Sequence, residues 1–134
     1  MTIPSSRPPA REAGPELLVL VKFEEFTAWL LDRTAKWPKS ARFTITQRIE
    51  NHALDVIEDL VIARYRRAGR RAVLDAVNLR IERMRHLFRI ARGARVCPST
   101  AFETAMRSLD ETGRMLHGWR ERLGAPARAE GVTP

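Results

Sequence analysis

The chain has 134 residues, 44% of them hydrophobic, which is enough for one domain built on one core. Lysine and arginine number 24 against 16 acids, a formal net charge of +8, and a surplus of that size points to a polyanionic partner. A single cysteine, Cys97, excludes an intrachain disulfide and a cysteine-built metal site, and the longest aliphatic run, Leu17 to Val21, is too short for a membrane span or a signal-peptide core.

These bounds describe a soluble cytoplasmic protein that does not enter a membrane. Nearly all of its cations are arginine, the side chain suited to bidentate contact with phosphate or carboxylate. For any one arginine, the plain alternative is genome composition.

In chain order, residues 1–14 hold Pro4, Pro8, Pro9, Ser5, Ser6 and Gly14 and are expected as a disordered arm. Pro15 and Glu16 then suit a helix N-terminus, and Phe23, Phe26, Leu30 and Trp37 form its inward stripe. Trp37-Pro38 ends that helix, because the residue before proline disfavours helical geometry. A second helix follows, capped by Ser40 or by a Thr44–Gln47 box, with Ile45, Ile49, Ala53, Val56, Leu60 and Ala63 turned inward.

From Arg64 to Arg95 the chain is an arginine-dense helical stretch, and Gly69 marks a tight turn near its start. Leu74, Val77, Ile81, Met84, Phe88 and Ala91 give the third helix an apolar seam spaced alternately by three and four. Val96-Cys97-Pro98-Ser99 makes the next corner, and Thr100 with Glu103 predicts a capping box for the fourth helix. Its seam is Phe102, Ala105, Leu109, Thr112, Leu116, Trp119 and Leu123, with Gly113 allowing close approach of a neighbour. Residues 124–134 return to a loose tail. No strand pattern appears, so the predicted fold is all-α: an antiparallel up-down-up-down four-helix bundle over residues 15–123.

Enzymatic chemistry finds no support. No Glu-x-x-His or Asp-x-x-His pair occurs for a bundle di-iron site, and there is no glycine-rich phosphate loop or zinc pattern. Glu82 with His86 is one weak pair, His52 with Asp55 reads as a helix-surface hydrogen bond, and His117 reads as packing. No cofactor and no catalytic residue are expected.

The arginines carry more. Arg64, Arg67 and Arg71 belong to the basic stretch, and Arg85, Arg89 and Arg92 share one narrow sector beside the seam of the third helix. Glu82 is the lone acid near Arg85 and Arg89, and Arg92 has none at helical spacing, so the row is expected to lie unneutralised against a phosphate backbone. No aromatics interleave with it, so base stacking is not indicated. On the fourth helix, Glu103–Arg107 and Asp110–Arg114 are four apart and are expected to pair. Away from the seams, Leu54, Ile57 and Val61 on the second helix and Leu79 and Ile90 on the third suggest a subunit interface.

Three segments resemble a known family. Trp37-Pro38-Lys39-Ser40-Ala41-Arg42-Phe43-Thr44-Ile45 with Gln47-Arg48-Ile49 looks like a helix junction of the Avd family, the accessory variability determinants of diversity-generating retroelements. Met84-Arg85-His86-Leu87-Phe88-Arg89-Ile90-Ala91 resembles its "LR-x-L-x-R-L-A" segment. Leu109-Asp110-Glu111-Thr112-Gly113-Arg114-Met115-Leu116-His117-Gly118-Trp119 is similar to its "L-x-E-I-G-R-M-L-G-G-W", with Thr112 for an aliphatic and His117 for the first glycine of the pair.

The resemblance implies a ring-shaped homopentamer of bundles with a basic surface, without a catalytic site. It also implies association with a reverse transcriptase and its template RNA, in support of mutagenic cDNA synthesis. Arg42, Arg85, Arg89 and Arg114 match basic positions of the family motifs, and Trp119 is placed with the oligomer interface. Two rivals stand beside this reading. One is the four-helix bundle family of ribosomal-RNA intervening sequences, whose glycine-containing second helix Asn51 to Tyr65 lacks. The other is a structural oligomer whose arginines pair with acids of adjacent subunits, such as Asp55, Glu58 and Asp59.

Overall fold

The computed structural model describes residues 10–124, which form four long helices and, among the described residues, no strand. The first, α1 (Ala10–Thr34), is broken at Gly14, whose φ of 75° and ψ of 156° are not helical, so regular winding starts at Pro15. Residues 10–13, expected in the arm, thus form a turn ahead of that break, while the expectations for 1–9 and 125–134 lie outside the described residues. The remaining helices are α2 (Gln47–Tyr65), α3 (Arg70–Gly93) and α4 (Ser99–Arg122).

Each helix packs on two neighbours, α1 on α2 and α4, and α3 on α2 and α4, which is the square of a four-helix bundle. Side-chain pairs give the direction of the α3–α4 contact. Asp75 meets Arg120 and Arg85 meets Asp110, so ten residues forward in α3 is ten back in α4. The helices are antiparallel.

The seams meet in one core. Phe23, Leu30, Ile49, Leu60, Leu74, Ile81, Met84, Phe88 and Leu109 are almost wholly buried, and each lies on the apolar spacing of its helix. Trp119 is 3% exposed and belongs to this core. That corrects its assignment to an oligomer interface: it stands on the α4 seam, and seam positions face inward before any partner is present.

The entry to α2 differs from expectation. Instead of a loop and a capped start, a 3-10 turn (Lys39–Ala41) runs into a π turn (Arg42–Thr46). Neither Ser40 nor a Thr44–Gln47 box caps the helix; the Thr44 hydroxyl donates to the Ala41 carbonyl at 3.2 Å. The cause is visible in the burial: Ala41 and Thr46 are both inward, five apart, a spacing that i→i+5 winding satisfies and α winding does not.

The start of α4 also lacks its expected capping box. Pro98 occupies the cap position and no side chain accepts from the first turn. Gly113, expected to admit a neighbouring backbone, faces the Arg85 guanidinium, whose Nη2 would lie 3.5 Å from an added Cβ.

Candidate nucleic-acid interface

Helix α3 projects its cations sideways because its seam fixes the helix rotation. Arg85, Arg89 and Arg92 follow one another on the flank that borders α4. The structure divides this row. Arg85 is 20% exposed; it forms an ion pair across to Asp110 of α4, and its Nε lies 3.1 Å from Glu82 Oε1, an ion-pair contact without good hydrogen-bond alignment. Arg85 is therefore neutralised within its own chain, contrary to expectation. Sequence spacing along α3 shows Glu82 but not the acid that α4 brings across.

Arg89 is exposed and has no ion pair among the described residues. Arg92 is exposed and lies 3.8 Å over the Phe102 ring, which orients the guanidinium while leaving its charge unbalanced.

Capture of Asp110 by Arg85 changes α4 in turn. Arg114, expected to pair with Asp110, has no ion pair among the described residues, and Arg107 donates to the Thr104 hydroxyl at 3.3 Å instead of reaching Glu103. Two cations first read as balanced are thus open on the helix that adjoins Arg89 and Arg92. A cleft of about 450 Å³ lined by Thr104, Arg107, Ser108, Asp110, Glu111 and Arg114 runs along this surface. Arg83 of α3 is exposed and unpaired among the described residues as well.

The remaining arginines fall elsewhere. Arg64, Arg67 and Arg71 gather at the α2–α3 corner, at the opposite end of α3 from Arg92. There Arg64 lies 5.4 Å from the Tyr65 ring, Arg67 is exposed, and Arg71 donates to the Gly124 carbonyl. Arg42 is exposed in the π turn, at the same end of the bundle as Arg92. The eight predicted positions are therefore three groups and not one patch.

Two further arginines hold the bundle itself. Arg70 Nε donates to the Ala63 carbonyl at 2.6 Å and its Nη2 to the Arg64 carbonyl at 3.0 Å, closing the C-terminus of α2 from the start of α3. Arg80 donates to Asp55 at 3.2 Å, lies 3.8 Å from Asp59 and meets His52 Nδ1 at 3.0 Å. Asp55 and Asp59 are thus engaged inside their own chain, so they are not free acids awaiting a neighbour's arginines. Burial first, then the Arg80 and Arg83 charges, push the His52 imidazole below its ordinary value of 6.5.

The described residues bring together no group of three or more histidines, cysteines or carboxylates that could hold a metal. Burial pushes the Cys97 thiol up to about 11 and outweighs the opposing charge of Arg92, so it is a poor nucleophile. No described helix is long and apolar enough to cross a membrane.

The apolar positions expected at an interface are displayed unequally. Leu79 and Ile90 are 54% and 59% exposed on α3, Leu54 and Val61 are exposed on α2, and Ile57 is half-buried against the core.

No curated protein and no solved structure matches the chain. A family model described as bAvd-like matches residues 17–123, from shortly after Pro15 in α1 through all of α4 and one residue beyond. A match over that much of the sequence, on four helices in the expected order, means that the chain belongs to the bAvd-like family.

Proposed function

We propose that this chain is a non-catalytic accessory protein of a diversity-generating retroelement, working in the cytoplasm. Copies of the bundle assemble into a ring whose basic surface holds template RNA and the reverse transcriptase during mutagenic cDNA synthesis. The observation that carries this reading is the set of open cations on adjoining helices, Arg89 and Arg92 of α3 with Arg107 and Arg114 of α4. Uncompensated charges of one sign on a shared face repel, and a phosphate backbone relieves that repulsion while releasing counterions. The contacts are to backbone phosphate, so they position RNA without reading its sequence.

Assembly is supported by two exposed apolar groups on different helices, Leu54 with Val61 on α2 and Leu79 with Ile90 on α3. Two unlike patches on one subunit suit a head-to-tail contact, the kind that closes into rings, and the family's pentamer is such a ring. The rival oligomer built on ion pairs between subunits loses two of its acids, because Asp55 and Asp59 already face Arg80.

The test is fluorescence anisotropy of template RNA titrated with the protein across a salt series. Binding should weaken steeply with salt, and the combined R89A and R114A variant should bind more weakly with a shallower slope. Salt-independent binding, or undiminished binding by that variant, would refute the proposal.

A further inference from the structure

A second cationic feature lies away from the row on α3 and α4. Where α1 ends and the α3–α4 corner turns, a cleft of about 540 Å³ is lined by Trp29, Arg33, Lys36, Trp37, Arg95 and Thr100, among others. Three cations border it. Arg33 and Lys36 share a single acid, Asp32, at 3.9 and 3.8 Å on the exposed surface, and Arg95 has no ion pair among the described residues.

The backbone around the cleft favours an anion too. Ser99 begins a helix of 24 residues behind Pro98, with no side-chain cap and no acid in its first turn. Its leading N–H groups and the positive end of its dipole therefore lack an acceptor, and Pro98, Thr100 and Ala101 of that turn line the cleft. A further donor is unmatched. Trp37 lines the same cleft, is 6% exposed, and has a buried indole Nε1 with no hydrogen-bond partner. Buried donors are rarely left so, but this nitrogen is closed off from the cleft surface, so it is not among the groups that would hold an anion there.

Arg95 reaches this position through an unusual backbone. Its φ is 62°, the left-handed region, and the Val96 N–H donates to the Ala91 carbonyl at 2.8 Å while the Arg95 N–H donates to Arg92 at 3.0 Å. These bonds make a Schellman closure of α3 with arginine where glycine is usual.

We propose that this cleft is a binding site for the phosphate of a nucleoside 5′-phosphate, held by Arg33, Lys36, Arg95 and the first turn of α4, with Arg33 steadied over the Trp29 ring at 5.7 Å. The phosphate could belong to a free nucleotide or to the 5′ end of an RNA strand; the chemistry recognised is the same. The site is separate from the row of Arg89 and Arg114 and does not depend on the role given to that row.

The experiment is calorimetric titration of the full chain with uridine 5′-monophosphate, with uridine, and with short single-stranded RNAs bearing a 5′-phosphate or a 5′-hydroxyl. The monophosphate should bind and uridine should not. Preference for the phosphorylated over the hydroxyl RNA identifies a strand end as a ligand, and equal binding of the two restricts the site to free nucleotide. R95G should weaken the monophosphate about tenfold, the loss of one charge-assisted contact. The same change should leave the melting temperature unchanged or raise it by a few degrees, because glycine fits the left-handed position. R33Q should weaken binding similarly, whereas R89A with R114A should not alter it. No binding of the monophosphate, or binding that R95G and R33Q leave intact, overturns the site, and loss of long-RNA binding in R89A with R114A alone would leave the function proposed above standing.

Discussion

Arg70 and Arg85 show how much an arginine's meaning depends on what lies across from it. Both sit in the basic stretch, yet Arg70 spends its guanidinium on carbonyls at the end of α2, and Arg85 spends its own on carboxylates. R70A should therefore lower stability by about 1–2 kcal/mol, measured by denaturant unfolding, because the last carbonyls of α2 lose their donor. His52 makes a prediction for pH. Its folded value lies below its ordinary 6.5, so the unfolded chain binds the proton more readily. The sign follows: the contribution of His52 is whole above 6.5 and is lost as pH falls from there through the lowered folded value. Unfolding curves taken either side of that range should show a small loss on the acid side, and H52Q should diminish it. The opposite trend would mean that Asp55 outweighs burial and the charges of Arg80 and Arg83.

At the scale of the helices, the α3–α4 contact couples structure to charge. Asp110 is the acid that withdraws Arg85 from the row and leaves Arg114 open, so D110N should free one more cation without touching the core. If the open arginines meet phosphate, D110N should steepen the dependence of log affinity on log salt. R89A should flatten it, each by about 0.7–0.9 per phosphate contact. Salt-series anisotropy on both variants reads this directly, and equal slopes would argue against phosphate contact. The seams of α1 to α4 were legible because burial follows a spacing written within each helix. The partners of Arg85, Arg80 and Arg120 were not, because they belong to pairings between helices whose register no single-helix pattern states. The starts of α2 and α4 depart from their sequence spacing for a related reason. Thr44–Gln47 and Thr100–Glu103 have the spacing of capping boxes, but the π turn and Pro98 place the true starts elsewhere.

For the whole molecule, interface and core must be separated by experiment. W119A should cost about 3–5 kcal/mol and threaten the fold itself, since that ring is buried within one chain. L79K and L54K, at exposed positions, should leave the subunit folded and act on assembly alone. A head-to-tail contact between the α2 and α3 patches gives a sharper outcome. Each variant alone should be monomeric by light scattering, and a mixture of the two should stop at dimers, because one intact surface of each kind remains and no ring can close. Recovery of the full oligomer in the mixture would exclude that geometry. The internal pairing of acids has one more consequence. With Asp110 already engaged at home, the cations left open along α3 and α4, Arg89, Arg92, Arg107 and Arg114, are all guanidinium, which keeps its proton at any pH a cell reaches. If the row holds RNA as proposed, acidity gives the cell no dial for loosening it, and release falls to ionic strength or to a competitor.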